Sequence, residues 1–214
     1  VLSIPTHTMR SKNALPKVGL NFLVVLAALL WTSTGARAAL VSFDNFSDGD
    51  ILTTEVPGLT FSNAIVLSAG ISLNEFEFPP FSGSNVVSDN GGPITITFDS
   101  PVSNFSGYFT YLVPLTLTAF DADNNQVDQL FSLFNRNLAL SGDAGSNSNE
   151  LLQFVFSSGV ASVAITGEQF GGSFTLDDLT FTASEQVPEP KPFPLVLIAL
   201  GSLIGLRRHY LQNQ

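Results

Sequence analysis

Between residues 39 and 184 apolar and polar side chains alternate with period two. Ile94-Thr95-Ile96-Thr97-Phe98 and Leu115-Thr116-Leu117-Thr118-Ala119 are the clearest runs, and Val163-Ala164-Ile165 and Phe174-Thr175-Leu176 are shorter ones. Such alternation puts one set of side chains into a core and turns the threonines toward water. Phe, Val, Ile and Thr dominate these runs and suit a pleated, half-buried surface. The pattern predicts nine strands, near residues 41–46, 59–67, 94–98, 104–112, 115–121, 127–134, 152–157, 161–166 and 173–181. They are separated by turn residues such as Asp48-Gly49, Pro57-Gly58, Asp89-Asn90-Gly91-Gly92-Pro93, Asn124-Asn125 and Gly171-Gly172. No helical repeat interrupts them, so the expected fold is all-β, with short strands that read as a sandwich or barrel, the β-sandwich being preferred. Two longer loops, 68–93 and 141–150, could rim a binding face. Most of the 17 phenylalanines between residues 39 and 190 are expected in the core.

The two ends follow a different pattern. Read from Met9, a basic stretch (Arg10, Lys12, Lys17) precedes an apolar run over residues 18–31, then Gly35-Ala36-Arg37-Ala38. Small residues at Ala36 and Ala38 fit signal peptidase cleavage before Ala39, which makes residues 1–38 a signal peptide with a signal helix. At the other end Pro188-Glu189-Pro190 leads into an apolar run over residues 193–206, closed by Arg207 and Arg208. As a helix those 14 residues reach roughly 21 Å at about 1.5 Å each. A hydrocarbon core is about 30 Å thick, so the short helix is marginal as a permanent span. The arginine pair would hold its end on the cytoplasmic side.

Charge sharpens this division. All 18 Asp and Glu lie between residues 39 and 190, against one basic residue there, Arg136, giving that stretch a formal −17. With no cationic surface to neutralise phosphates, it is not a nucleic-acid binder. The chain has no cysteine, and neither His7 nor His209 falls in the β-domain. Thiol nucleophiles, His-based triads and His- or Cys-ligated zinc are therefore excluded from that domain, and no catalytic residue is assigned. Paired carboxylates remain, Glu75 and Glu77 among them, as a polysaccharide hydrolase would need. Asp121-Ala122-Asp123-Asn124-Asn125, with Asp128 beyond, has the oxygen spacing of a calcium loop. Gln126 and Ser132 stand where the EF-hand pattern needs Gly and an acid, so a plain hairpin tip is the stronger reading. Tyr108 and Tyr111 are the amphipathic rings left once Trp31 departs with the signal peptide, and their spacing puts them on opposite faces of a strand.

The tail of Pro188-Glu189-Pro190, short apolar helix and Arg207-Arg208 resembles the PEP-CTERM sorting domain of Gram-negative and related bacteria. That resemblance covers residues 187–208. It implies export, transient anchoring by the C-terminal helix and processing near Pro188–Pro190 by an exosortase, a membrane-embedded cysteine transpeptidase-like enzyme. It also implies delivery to the cell surface or to an extracellular matrix rich in polysaccharide. The domains expected are thus 1–38 signal peptide, 39–184 acidic β-sandwich and 185–214 sorting tail. The middle also resembles jelly-roll, lectin-like and carbohydrate-binding-module-like sandwiches through Phe43-Asp44-Asn45-Phe46, Ser82-Gly83-Ser84-Asn85, Phe120-Asp121-Ala122-Asp123 and Asp177-Asp178-Leu179-Thr180-Phe181. In such modules a structural calcium ion often ties the first strand to the last. That implies a site from Asp44 or Asp48 with Asp177 or Asp178, and a calcium-dependent glycan-binding module as the alternative function. The expected role is a non-enzymatic, structural or adhesive surface protein.

Overall fold

The computed structural model describes residues 38–184, and among them there are ten strands and no helix. In chain order these are β1 (Ala38–Val41), β2 (Ile51–Leu52), β3 (Leu59–Ser62), β4 (Ala64–Ser68), β5 (Asn85–Asn90), β6 (Ile94–Tyr111), β7 (Thr116–Phe120), β8 (Gln126–Phe131), β9 (Glu150–Thr166) and β10 (Gly171–Ala183). Both expected terminal helices, with Ala36 of the cleavage site and all of Pro188, Glu189, Pro190, Arg207 and Arg208, lie outside the described residues. Ala38 opens β1, so cleavage before Ala39 would leave Ala39, Leu40 and Val41 paired with Phe181, Thr180 and Leu179.

Every strand pairing is antiparallel, and the ladder runs β2-β4-β5-β10-β6-β9-β7-β8, with β1 on β10 and β3 on β6. The unusual lengths of β6 and β9, 18 and 17 residues, have one cause: each belongs to two layers. The first part of β6 lies between β3 and the end of β9, which continues to β7 and β8. Its second part lies between the start of β9 and β10, which continues to β5, β4 and β2. Side chains of both halves share one core, so the sheet doubles over into a β-sandwich.

The fold line is visible residue by residue. Register in the β6–β9 pair shifts between Thr97 and Val102 and again before Asn104. Along β6 the buried apolar positions are Ile94, Ile96, Phe98 and Val102, then Phe105, Phe109 and Tyr111, a change of parity that a β-bulge produces. Pro101, which has no N–H to donate, sits at this break, as strand prolines do at bulges. Gly159 faces it on β9, where a Cβ would come within 2.6 Å of Pro101 Cβ. A second crossing needs a single residue. β3 pairs in one layer and β4 in the other, and Asn63 between them takes φ +58°. Asn tolerates that left-handed region better than most residues. Its side-chain N–H donates to Pro93 O at 3.0 Å and its carbonyl accepts from Asn90 N at 2.9 Å.

Seven of the 17 phenylalanines are buried in the core, and Phe46, Phe134, Phe156 and Phe181 pack against it. Phe76, Phe81, Phe131 and Phe170 are exposed. Three sequence expectations change. The strand near 41–46 stops at Val41, because Phe43 turns the chain at φ +62°. The strand near 59–67 is two strands, while four others merge into β6 and β9. The loop at 68–93 contains β5, whose Val86 and Val87 face opposite sides and are both buried.

Where the β5–β10 register shifts between Gly171 and Thr175, a buried carboxylate replaces the missing ladder acceptors. Asp89 accepts from Ser173 N at 2.8 Å, Phe174 N at 3.0 Å and Ser173 Oγ at 2.7 Å. Asp89→Ala should therefore lower unfolding free energy by about 3 kcal/mol, since each orphaned buried donor costs about 1–3 kcal/mol. Asp123→Ala at an exposed turn should stay within about 0.5 kcal/mol. Urea denaturation of the two variants checks both.

Candidate functional site

The outer face of the β1-β10-β6-β9 layer is exposed along part of its length and covered along the rest. Ala39, Phe181, Phe105 and Phe154 lie in one cross-strand row on the core side. The next row, Leu40-Thr180-Ser106-Gln153, and the alternate one beyond the core row, Ala38-Thr182-Asn104-Val155, therefore face out. Further along, the outward positions are covered. Ser88, Thr110, Thr175 and Asp177 face away from the core yet are no more than 5% exposed. Segments 69–84 and 132–149 lie over them.

A covering segment must pair its backbone N–H groups, and acidic side chains supply the acceptors. Asp177 Oδ2 accepts from Phe81 N at 2.8 Å and Ser82 N at 2.9 Å, and its Oδ1 accepts from Asp178 N at 2.7 Å. Asp178, at φ +45° in the β10 bulge, accepts from Ser82 Oγ at 2.8 Å. Asp44 Oδ1 accepts from Ser84 N at 2.8 Å and Asn85 N at 3.1 Å. Gly83 is required beside it: its φ is +54°, and a Cβ there would lie 2.1 Å from Asp44 Oδ2. Asp48 accepts from Ser68 N at 2.8 Å and from the Ser72 hydroxyl.

The second segment is tied to the first. Glu77 Oε2 accepts from Leu140 N and Ser141 N, both at 3.1 Å, and Asn149 Nδ2 donates to Pro79 O at 3.1 Å. Buried Asn137 extends the end of β6: it accepts from Tyr111 N at 2.6 Å and donates to Phe109 O at 2.8 Å. Neither Asp89 nor Asn137 is marked by the sequence pattern. Each stands in a polar run, and the backbone groups it pairs at the ends of β6 and β10 lie 26 or more residues away.

Electrostatics separates these groups. Burial pushes the Asp177 carboxyl up to about 6, with the neighbouring Asp178 charge adding to the rise and three N–H donors opposing it. At the exposed hairpin between β7 and β8, hydrogen bonds from Asn125 and Asp123 hold the Asp121 carboxyl below its ordinary value. Asp121 accepts from Asn125 N at 2.8 Å and Asp123 N at 3.0 Å, with Asn124 at φ +62°, the geometry of a hairpin tip. Against a desolvation cost, Glu77 is also held low by hydrogen bonds from Leu140 and Ser141 and by the Arg136 charge.

The tyrosines divide as their spacing predicts. Tyr111 is buried, donates to the Glu150 carboxylate and accepts from Phe134 N at 3.2 Å; burial and Glu150 push it up to about 12. Tyr108 faces out beside Leu151, and the Phe81 ring lies parallel to it, centroids 3.4 Å apart at 7°. Phe81 stays 45% exposed and Leu151 50% exposed.

Asp44, Asp177 and Asp178 thus converge on residues 81–85, each through hydrogen bonds to that segment. Among the described residues no group of three or more His, Asp or Glu side chains is arranged to hold a metal ion. Among the open clefts that border the described residues, one of about 450 Å³ is lined by residues 39–43, 45, 46 and 55–57, with Glu55, and one of about 490 Å³ lies between β8 and β9, with Glu150. Each is lined by a single carboxylate, so neither provides the pair that glycoside hydrolysis requires.

No family model and no curated protein matches the chain. Among solved structures it is similar to the K2 cleaved adhesin domain of Lys-gingipain, at 14% identity over 68% of this chain and 99% of that one, TM-score 0.44. A DUF4465 family protein from Bacteroides caccae ATCC 43185 gives 12% identity, 69% and 100% coverage and TM-score 0.44. A family 35 carbohydrate binding module from Clostridium thermocellum gives 15%, 70% and 100%, and TM-score 0.35. Likenesses this distant carry no weight for function.

The sign of the Asp177 shift sets a pH dependence. A carboxyl raised in the folded state favours the protonated form there. Its contribution is fully present below the ordinary value of 3.8 and is lost as pH rises through about 6. The Tm of the wild-type chain should therefore fall relative to that of Asp177→Asn as pH rises from 4 to 7. Thermal melts across this range check it.

Proposed function

We propose that this chain is an exported, non-enzymatic surface protein whose β-domain, a jelly-roll-like sandwich, adheres to or builds an extracellular matrix. One observation carries the domain's part of this reading. The carboxylates at Asp44, Asp48, Glu77, Asp89 and Asp177 serve as acceptors for backbone N–H groups. What the domain offers its surroundings is then a surface. Delivery rests on the sequence: the cleavage site at Ala36 and Ala38 would release the domain from a signal peptide. The Pro188-Glu189-Pro190 tail, with its apolar run and Arg207-Arg208, would be handled by an exosortase-type enzyme. A cysteine-free domain suits this route, since its folding needs no disulfide.

Calcium enters as the alternative reading at Asp44, Asp177 and Asp178. Oxygens already accepting N–H and O–H groups fit the role of segment ties better than that of an ion's shell. The Tm should accordingly be the same in calcium and in EDTA. A loss of Tm in EDTA that Asp177→Ala abolishes would favour the calcium-dependent module instead.

Expressed with an exosortase, the mature protein should lack residues 193–206 by intact-mass measurement. A mature chain that retains them would leave simple anchoring. The producer's own extracellular polysaccharide should retain the protein whether calcium or EDTA is present.

A further inference from the structure

The outward rows of the β1-β10-β6-β9 layer differ from the rest of this acidic domain. Leu40, Thr180, Ser106 and Gln153 form one row, Thr182, Asn104 and Val155 another, and Tyr108 and Leu151 stand beyond the first, in the row whose β10 member Asp177 is buried. None of these nine solvent-facing side chains is charged, although residues 39–190 carry a formal −17. Each of the nine is at least partly exposed. Segment 69–84 ends above them as a step, with Phe81 lying flat on Tyr108. Four strands at about 4.8 Å spacing make the floor roughly 14 Å wide.

We propose that this face binds a neutral polysaccharide, with Phe81, Tyr108 and Leu151 against the C–H faces of sugar rings and Ser106, Thr180, Asn104 and Gln153 meeting their hydroxyls. The inference rests on the adhesive reading above and names the surface and the ligand class. Side-chain hydroxyls and amides donate and accept at once, as sugar hydroxyls do. An exposed aromatic face beside them supplies apolar contact next to a wet edge. A protein partner would favour a contiguous apolar centre, whereas here Leu40, Leu151 and Val155 are separated by polar side chains. Acidic polysaccharides are disfavoured by two features of the same surface. The face offers no Lys or Arg to pair with a carboxylate or sulfate, and the domain's own charge repels a polyanion.

The test is affinity gel electrophoresis of the full chain in mild detergent, in gels containing xyloglucan, galactomannan or mixed-linkage β-glucan, with polygalacturonate as the anionic comparison. Gln153→Glu places a charge on the face at an exposed position. Gln129→Glu places the same charge on exposed β8 as the control. At least one neutral polymer should retard the wild-type chain. Gln153→Glu should weaken that retardation about tenfold, the equivalent of one lost contact of about 1.4 kcal/mol, and Gln129→Glu should leave it unchanged. Tyr108→Ala, with its fold verified by its melt, should weaken it as well. Retardation that Gln153→Glu and Gln129→Glu affect alike would overturn this face while leaving the adhesive reading in place. Retardation by polygalacturonate alone would overturn the neutral-ligand assignment, and retardation by no polymer would remove both the site and glycan adhesion.

Discussion

A chain segment laid across a sheet must find acceptors for its own N–H groups, and this domain meets that constraint with carboxylates. Segment 69–84 has few strand partners of its own, yet it covers the outer face of β5 and β10. Asp44 and Asp177 take two of its end N–H groups each, counting Asn85 at the start of β5, and Asp178 takes a hydroxyl. Glu77 then passes the same kind of link from this segment to residues 140 and 141. Charge-assisted hydrogen bonds to backbone are stronger than neutral ones. Acidity here therefore serves the fold as well as solubility.

The ties depend in turn on the sheet being doubled. Asp177 belongs to β10 and Asp44 to the turn after β1, and β1 is held alongside β10 by four residue pairs. Both strands sit in the layer that β6 and β9 enter after the bend at Pro101 and Gly159. Had β6 remained straight, its later residues could not lie beside β10 while its earlier ones pair with β3. Parity along β6 changes at the same bend. Phe105 and Phe109 thereby point into the core, and Ser106 and Tyr108 point away from it. The bend, the buried acids and the uncharged outer rows are consequences of one chain path.

Much of this path is legible in the alternating stretches. Ile94 to Phe98 and Leu115 to Ala119 mark strands without ambiguity, because one side of each is apolar and the other polar. The opposite faces of Tyr108 and Tyr111 follow from an odd spacing. β5 is illegible for a physical reason: Asn85-Val86-Val87-Ser88-Asp89-Asn90 is covered on one side by the core and on the other by segment 69–84, so no alternation survives. The ties are hidden differently. Asp177 and its partners Phe81 and Ser82 are separated by 96 and 95 positions, and nothing local to either end announces the contact. Read alone, the same acids suggest calcium ligands or solvated surface. A sharper clue is Gly83 within Ser82-Gly83-Ser84, where a segment without side-chain bulk allows a carboxylate to approach.

The central claim, that the carboxylates of buried Asp177 and exposed Asp44 hold segment 69–84 in place, is tested most directly by residue-resolved amide hydrogen exchange at pH 7 without calcium. The amides of Phe81, Ser82, Ser84 and Asn85 should be protected to a degree approaching that of β6. Asp177→Ala should release protection chiefly at Phe81, Ser82 and Asp178 while leaving Ser84 and Asn85 slow. Fast exchange of all four amides in the wild-type chain, or protection that appears only on adding calcium, would contradict the account.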